Sequence, residues 1–183
     1  MTTEPLVGNF VRLRIAEEAD TEFTLAIRQE GANTEHMPRL TVNMEQQRAW
    51  LKVQKESKDC YFFVVERLNG ERIGTFSLYN IRGSEAETGR LILRGNPMET
   101  VETCVLFHDF VFGKAGLTYV YSEMEADNMP AMGLSNRLGG EKEREFYNEK
   151  TGKRMCKMRA TKEAYTAKSV QLKKLLARYA GRA

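Results

Sequence analysis

The segment 98–112 most constrains what this chain can fold into. Its apolar members (Val101, Cys104, Val105, Leu106, Phe107, Phe110, Val111 and Phe112) cover more than one face of a helix. Such a helix must be enclosed by other elements rather than laid on a surface. Gly113 and Gly116 end it. The cover has to come from the rest of the chain, and much of the rest reads as strand.

Residues 10–15 alternate Val11, Leu13 and Ile15 with Arg12 and Arg14, which is the period of a strand. Residues 60–67 are rich in β-formers, and 72–79 follow. Asn69-Gly70 between them predicts a hairpin, because both residues tolerate positive φ. The next strand is 86–93, after Arg82-Gly83-Ser84, and 117–124 follows the apolar helix. Asp20 can cap a helix running to about Gln29. A second helix, 43–55, carries Met44, Trp50, Leu51 and Val53. Asn128 and Pro130 open a short helix that reaches Leu138 and ends at Gly139-Gly140. A last hairpin joins 142–147 to 154–161, and Val170, Leu172, Leu175, Leu176 and Tyr179 fall at helical spacing in the tail. This order predicts an α/β (α+β) fold: a mostly antiparallel sheet with one buried crossover helix between two parallel strands.

The 183 residues fit one domain with a real core. Three widely spaced cysteines, Cys60, Cys104 and Cys156, form no CxxC pair, and there are only two histidines. That argues against a zinc site, so no metal is expected, and free thiols fit a reducing compartment. No apolar run approaches the roughly 20 residues that span a bilayer, and residues 1–9 lack a basic start followed by an apolar stretch. The expectation is a cytoplasmic protein without a membrane partner. A net charge of +3 is too small to argue for nucleic acid. The charge is unevenly placed: Lys162, Lys168, Lys173, Lys174, Arg178 and Arg182 face one acid, Glu163, in the tail. A basic tail points to an acidic neighbour such as a second copy in a homodimer, or to a solvated helix face.

Three segments in order carry a family resemblance. Asn128, Ala131, Leu134, Leu138 and Gly139 resemble the Asn-x-x-Ala-x-x-Leu-Tyr-x-Lys-Leu-Gly-Phe segment of GNAT acetyltransferases. Ile73-Gly74 to Leu78, with Glu87 to Leu93, resembles that family's central strands. Phe107 to Phe112, with Leu117 to Tyr121, is similar to its buried helix and the strand after it. The resemblance spans 8–161, so 1–161 is expected to be one acetyltransferase domain, with 162–183 a basic amphipathic helix. Within the superfamily the chain looks most like the branch of ribosomal-protein, diamine and sugar-nucleotide N-acetyltransferases. Ala26, Ile27, Arg28 and Gln29, with Trp50 and Leu51, resemble the sugar-nucleotide members.

The resemblance implies acetyl transfer from acetyl-CoA to a primary amine by direct attack. The acceptor would be a small-molecule or peptide amine, such as an amino sugar on a nucleotide or a peptide N-terminus. Such chemistry needs a base for the amine, donors for the developing oxyanion and a proton for the leaving thiolate. By family position the pantetheine arm lies along Leu91, Ile92 and Leu93, adding to the sheet almost as another strand. Asn128 would touch that arm or cap its own helix. Ser135 stands where the family's tyrosine proton donor falls. Glu87 is the first choice of base, with Glu66 and Glu85 as competitors. Arg28, Trp50 and Tyr79 fall where family members bind substrate, and His108 reads as a packed histidine.

The family's diphosphate loop, Arg/Gln-x-x-Gly-x-Gly/Ala, points free amides at the phosphates. Here 94–100 runs Arg94, Gly95, Asn96, Pro97, Met98, Glu99, Thr100, and both small positions are lost. Asn96 and Glu99 resemble a capping box with Pro97 at the first helical position. Two readings stay open. Glu99 points away and the amides of Met98 to Thr100, with Arg94 or Arg90, hold phosphate; or coenzyme binding is weak or lost and the chain is a GNAT-like binding module. Gly140, where the family has phenylalanine, is expected to loosen local packing.

Overall fold

The computed structural model describes residues 1, 3–29, 36–37 and 40–181. Arg182, counted above in the basic tail, lies outside them. The elements in chain order are β1 (Leu6–Val7), β2 (Val11–Ile15), α1 (Thr21–Gln29), α2 (Met44–Glu56), β3 (Tyr61–Arg67), β4 (Arg72–Arg82), β5 (Glu85–Leu93), α3 (Pro97–Asp109), β6 (Tyr119–Glu125), α4 (Met129–Arg137), β7 (Gly140–Asn148), β8 (Lys153–Thr161) and α5 (Lys162–Ala180). Among the described residues the strands form one sheet, ordered β1-β2-β3-β4-β5-β6-β8-β7. Only β5 and β6 run parallel, and α3 is the crossover between them. The expected α/β architecture is the one observed.

Strand β3 shows how the layers arise. Phe63 and Val65 face a core shared with Cys104, Phe107 and Phe110. Phe62 and Val64, on the other face, pack with Leu51 and Ala16. The side-chain period of two thus places α3 on one face and α1 with α2 on the other. The Phe107 ring lies 3.7 Å from that of Phe76, centroid to centroid. α5 returns over α3: the Tyr165 hydroxyl lies 3.0 Å from Val105 O and 2.9 Å from Asp109 Oδ1, and Lys173 Nζ pairs with Asp109 at 2.7 Å.

Three local expectations need correction. Asp20 does not cap α1. It ends a 3-10 turn, fully buried, and pairs with Arg14 at 2.7 Å and Arg72 at 3.2 Å. The buried helix stops being α-helical at Asp109, and Phe110–Lys114 is a π turn. Phe110, Val111 and Phe112 are all buried there, and a wider turn spreads consecutive side chains over a narrower arc. Packing at Gly140 is tight rather than loose, since a Cβ there would stand 2.2 Å from Ser135 Oγ.

One contact has no local signal in the sequence. Glu102, on α3 and 2% exposed, accepts from the amides of Asn9 (2.7 Å), Phe10 (2.6 Å) and Val11 (2.9 Å). It pins the β1–β2 turn to the helix. Gly8 is glycine because a Cβ would meet this carboxyl group at 2.4 Å.

Candidate active site

Parallel pairing of β5 with β6 lasts only from Glu85–Tyr119 to Glu87–Tyr121. Beyond it β5 pairs with β4 alone and β6 with β8 alone. The strands diverge, and a cleft of about 1170 Å³ opens between them. Its walls include Gly89 to Leu91 and Tyr121 to Glu125, with α4 across the mouth and Cys104 and His108 below.

A β-bulge sets the divergence. Ser77 pairs with Gly89 and Thr75 with Ile92, so Phe76 alone faces both Arg90 and Leu91. A bulge of this kind bends its strand and leaves a residue outside the ladder. Arg90 carries φ 55°, a left-handed conformation costly for a side-chain-bearing residue. Thr75 Oγ1 donates to the Arg90 carbonyl at 2.9 Å and holds it there. The Arg90 guanidinium then stacks 4.3 Å over the Tyr79 ring and donates to Gln54 Oε1 at 3.2 Å.

Beside the bulge lies a fixed acid. Tyr79 donates its hydroxyl to Glu87 Oε1 at 2.7 Å, and Asn80 Nδ2 donates to Oε2 at 2.8 Å. Gly89 leaves room for this, because a Cβ there would stand 2.8 Å from the Tyr79 hydroxyl oxygen. Burial first, and then the Glu87 carboxylate, push the Tyr79 phenol well above its ordinary range. The ring of Tyr79 lines the cleft. Glu87 is not among the lining residues and reaches the cleft through the Tyr79 hydroxyl.

The other predicted residues divide. Arg28 lines the cleft, and burial followed by the charge of Arg90 pulls its guanidinium downward. Leu91, Thr100, Asn128 and Ser135 also line it. Ile92 is buried, and Leu93, Arg94, Met98 and Glu99 lie off the wall. Trp50 stands behind Arg90, edge-on to Phe62 with centroids 5.1 Å apart, in the α1–α2 core. Glu66, weighed above as a competing base, is buried between Arg12 and Arg14 at 2.7 Å from each, so its charge is already spent within the fold.

Asn128 caps α4, its Oδ1 accepting from Ala131 N at 3.1 Å. His108 is 5% exposed, and Nδ1–H donates to Cys104 O at 2.8 Å. Burial pushes its pKa down to about 4. It is a neutral packed histidine, as the sequence predicts. Sequence reasoning passed over Tyr121, which pairs with Glu87 across the parallel strands and lines the cleft. Its only signal is the parallel register, which no local pattern encodes.

At the start of α3 the capping box is complete. Asn96 Oδ1 accepts from Met98 N (2.8 Å) and Glu99 N (3.0 Å), and Glu99 Oε2 accepts from Asn96 N (2.7 Å). Glu99 turns inward to Arg67 Nε at 2.7 Å, and this bond first of all holds its carboxyl below the usual range.

A family model described as an acetyltransferase (GNAT) domain matches residues 11–141. Several solved structures share the fold. Apo FdhC, described as a nucleotide-linked sugar GNAT, is 20% identical with a TM-score of 0.77, covering 96% of this chain and 98% of that one. A GCN5-related N-acetyltransferase from Brucella melitensis is 18% identical with a TM-score of 0.78, covering 94% and 85%. A chimera of the Vibrio cholerae spermidine N-acetyltransferase SpeG with hSSAT is 20% identical with a TM-score of 0.74, covering 85% and 98%. No curated protein matches the chain. At such identities these structures speak for the fold, while the matched domain covers most of the chain, from the first long strand to the start of the last hairpin: this protein belongs to the GNAT acetyltransferase family.

Proposed function

We propose that this acetyltransferase moves an acetyl group from acetyl-CoA to a primary amine by direct attack. The observation that carries the reading is the cleft between β5 and β6, opened by the bulge at Arg90 and floored by Cys104 and His108. The bulge leaves the β5 backbone at Leu91 facing open volume, which fits the amide-bearing arm of the coenzyme. When bound, the coenzyme supplies an activated thioester. What the chain supplies is position and proton handling.

The amine presents its N–H to Tyr79 Oη, whose own proton is aimed at Glu87 Oε1. Tyr79 relays the proton and Glu87 receives it. The nitrogen–carbon bond forms and the carbon–sulfur bond breaks; the sulfur leaves as a thiolate that accepts a hydrogen bond from the Ser135 hydroxyl, and Glu87 returns its proton to solvent, from which the thiolate is protonated. Arg90, stacked on Tyr79 and bonded to the neutral Gln54, brings a positive charge to the acceptor side of the cleft. That favours an amine carrying an anion nearby, such as an amino sugar on a nucleotide or a peptide with an acidic group, over a polycation.

A panel of amines with thiol-release detection tests the reading. Turnover with anionic amines, and little with spermidine, is the expected result. No thiol release with any acceptor, and no thermal stabilisation by millimolar acetyl-CoA, would count against it. That outcome would favour a second reading, a GNAT-like binding module with weak or no coenzyme binding. The observation behind this second reading is the sealed first turn of α3.

A further inference from the structure

A helix start serves a diphosphate by offering free amides. At α3 those amides can be accounted for one by one. Arg94 N–H goes to Ile73 O at 2.8 Å. Asn96 N–H goes to Glu99 Oε2 at 2.7 Å. Pro97 has no N–H. Met98 and Glu99 share Asn96 Oδ1, and Thr100 N–H goes to Asn96 O at 2.9 Å. Among the described residues from 94 to 100, only the Gly95 amide has no protein acceptor.

The carboxylate beside that amide is fixed as well. Glu99 is 6% exposed and bonded to Arg67 Nε and Nη2 at 2.7 and 3.3 Å. A carboxylate at a helix start takes the place of a bound anion and repels a second one. Arg94 and Arg137 are exposed, Arg137 at the cleft wall, and an ion pair formed at an exposed guanidinium is weak. The other half of the cleft is different. Leu91 and Asn128 line an open wall, and the bulge has removed part of β5 from its ladder.

We propose that this enzyme grips its acyl donor through the pantetheine arm alone, and so accepts acyl-pantetheine thioesters lacking the adenosine diphosphate half as readily as acyl-CoA. The inference rests on the acetyl transfer proposed above and adds the donor class. The bonds are the same: nitrogen–carbon forms, carbon–sulfur breaks, the amine proton passes to Glu87 and on to solvent, and the sulfur leaves as pantetheine thiolate, which takes its proton from solvent. No further reactant enters.

Titration calorimetry with coenzyme A and with pantetheine tests this without knowledge of the acceptor. The two dissociation constants are expected to agree within about threefold, and adenosine 3′,5′-bisphosphate should not compete with pantetheine. Asn96→Gly frees the amides of Met98 and Glu99 while keeping a tolerated cap residue. It should tighten coenzyme A by roughly tenfold and leave pantetheine unchanged. Coenzyme A binding more than about thirtyfold tighter than pantetheine in the parent protein overturns the inference and leaves acetyl transfer standing. If neither probe binds, acetyl transfer itself fails and the donor class falls with it.

Discussion

The two ends of β5 obey opposite rules. At its start, Glu87, Tyr79 and Asn80 meet beside open volume, and Tyr79 faces the cleft. At its end, Asn96, Glu99 and Arg67 use up one another's hydrogen-bonding capacity. A polar group satisfied inside the protein stabilises the fold and is lost to a ligand. Tyr79, bonded to Glu87 yet lining the cleft, remains within reach of a ligand. The comparison separates chemistry from architecture along nine residues of one strand and the turn that follows.

The sharpest test acts at the first end. Glu87→Gln keeps the shape and an acceptor for Tyr79 but removes the charge that the proposed mechanism uses to receive the proton. Turnover should fall by roughly 10²- to 10⁴-fold, while stability in denaturant titrations shifts by less than about 0.5 kcal/mol. Unchanged turnover across pH would remove Glu87 as the base and erase the functional half of the comparison.

The next test acts on architecture. Glu102 lies one turn beyond Glu99 on α3 and is satisfied in the same manner, by three backbone amides of the β1–β2 turn. Glu102→Ala leaves those amides without an acceptor, two of them only partly buried. A loss of about 4 kcal/mol is expected in urea unfolding, from several orphaned donors at once. A loss near zero would mean that water replaces the carboxylate without penalty.

How much of this was legible in the sequence depends on the range of each contact. The box at Asn96 and Glu99 spans three residues, so the segment itself announces it. The burial of α3 follows from its own apolar members. Glu102 is also acidic and on the same helix, yet its partners lie more than ninety positions away, and nothing near it signals them. The bulge at Arg90 depends on how β5 registers with β4. Neither strand alone contains that information. Glu87 was legible as a residue type at a strand start. Its contact with Tyr79 was not, because the eight-residue separation becomes a contact only through antiparallel pairing. Fold is therefore more readable than site here, since the site is assembled from register.

Between the two ends, His108 lines the floor of the cleft. Burial holds its folded pKa at about 4, against 6.5 in the unfolded chain. Above pH 6.5 both states are neutral and the group has no effect. As pH falls from 6.5 towards 4, the unfolded chain takes a proton that the folded protein refuses, and stability drops by about 3 kcal/mol. His108→Phe should flatten that part of the stability–pH profile. If His108 were instead the base, this variant would abolish turnover at neutral pH. A flattened profile with turnover retained assigns it to architecture.

The smallest expected effect returns to the second end. The folded pKa of Glu99 is depressed, chiefly by its bond to Arg67. A depressed carboxylate stabilises the fold above its unfolded value near 4.5, and that contribution disappears as pH falls through the lower folded value. Glu99→Gln retains an acceptor for the Asn96 amide and loses only the charge. It should cost about 1 kcal/mol at neutral pH, and the gap to the parent protein should close as both are taken below pH 4.5. A gap that persists in acid would mean that the side chain acts by shape. A Glu99→Gln protein that binds coenzyme A more tightly, with pantetheine affinity unchanged, would show that the buried charge, as well as the occupied amides, keeps phosphate away from this turn.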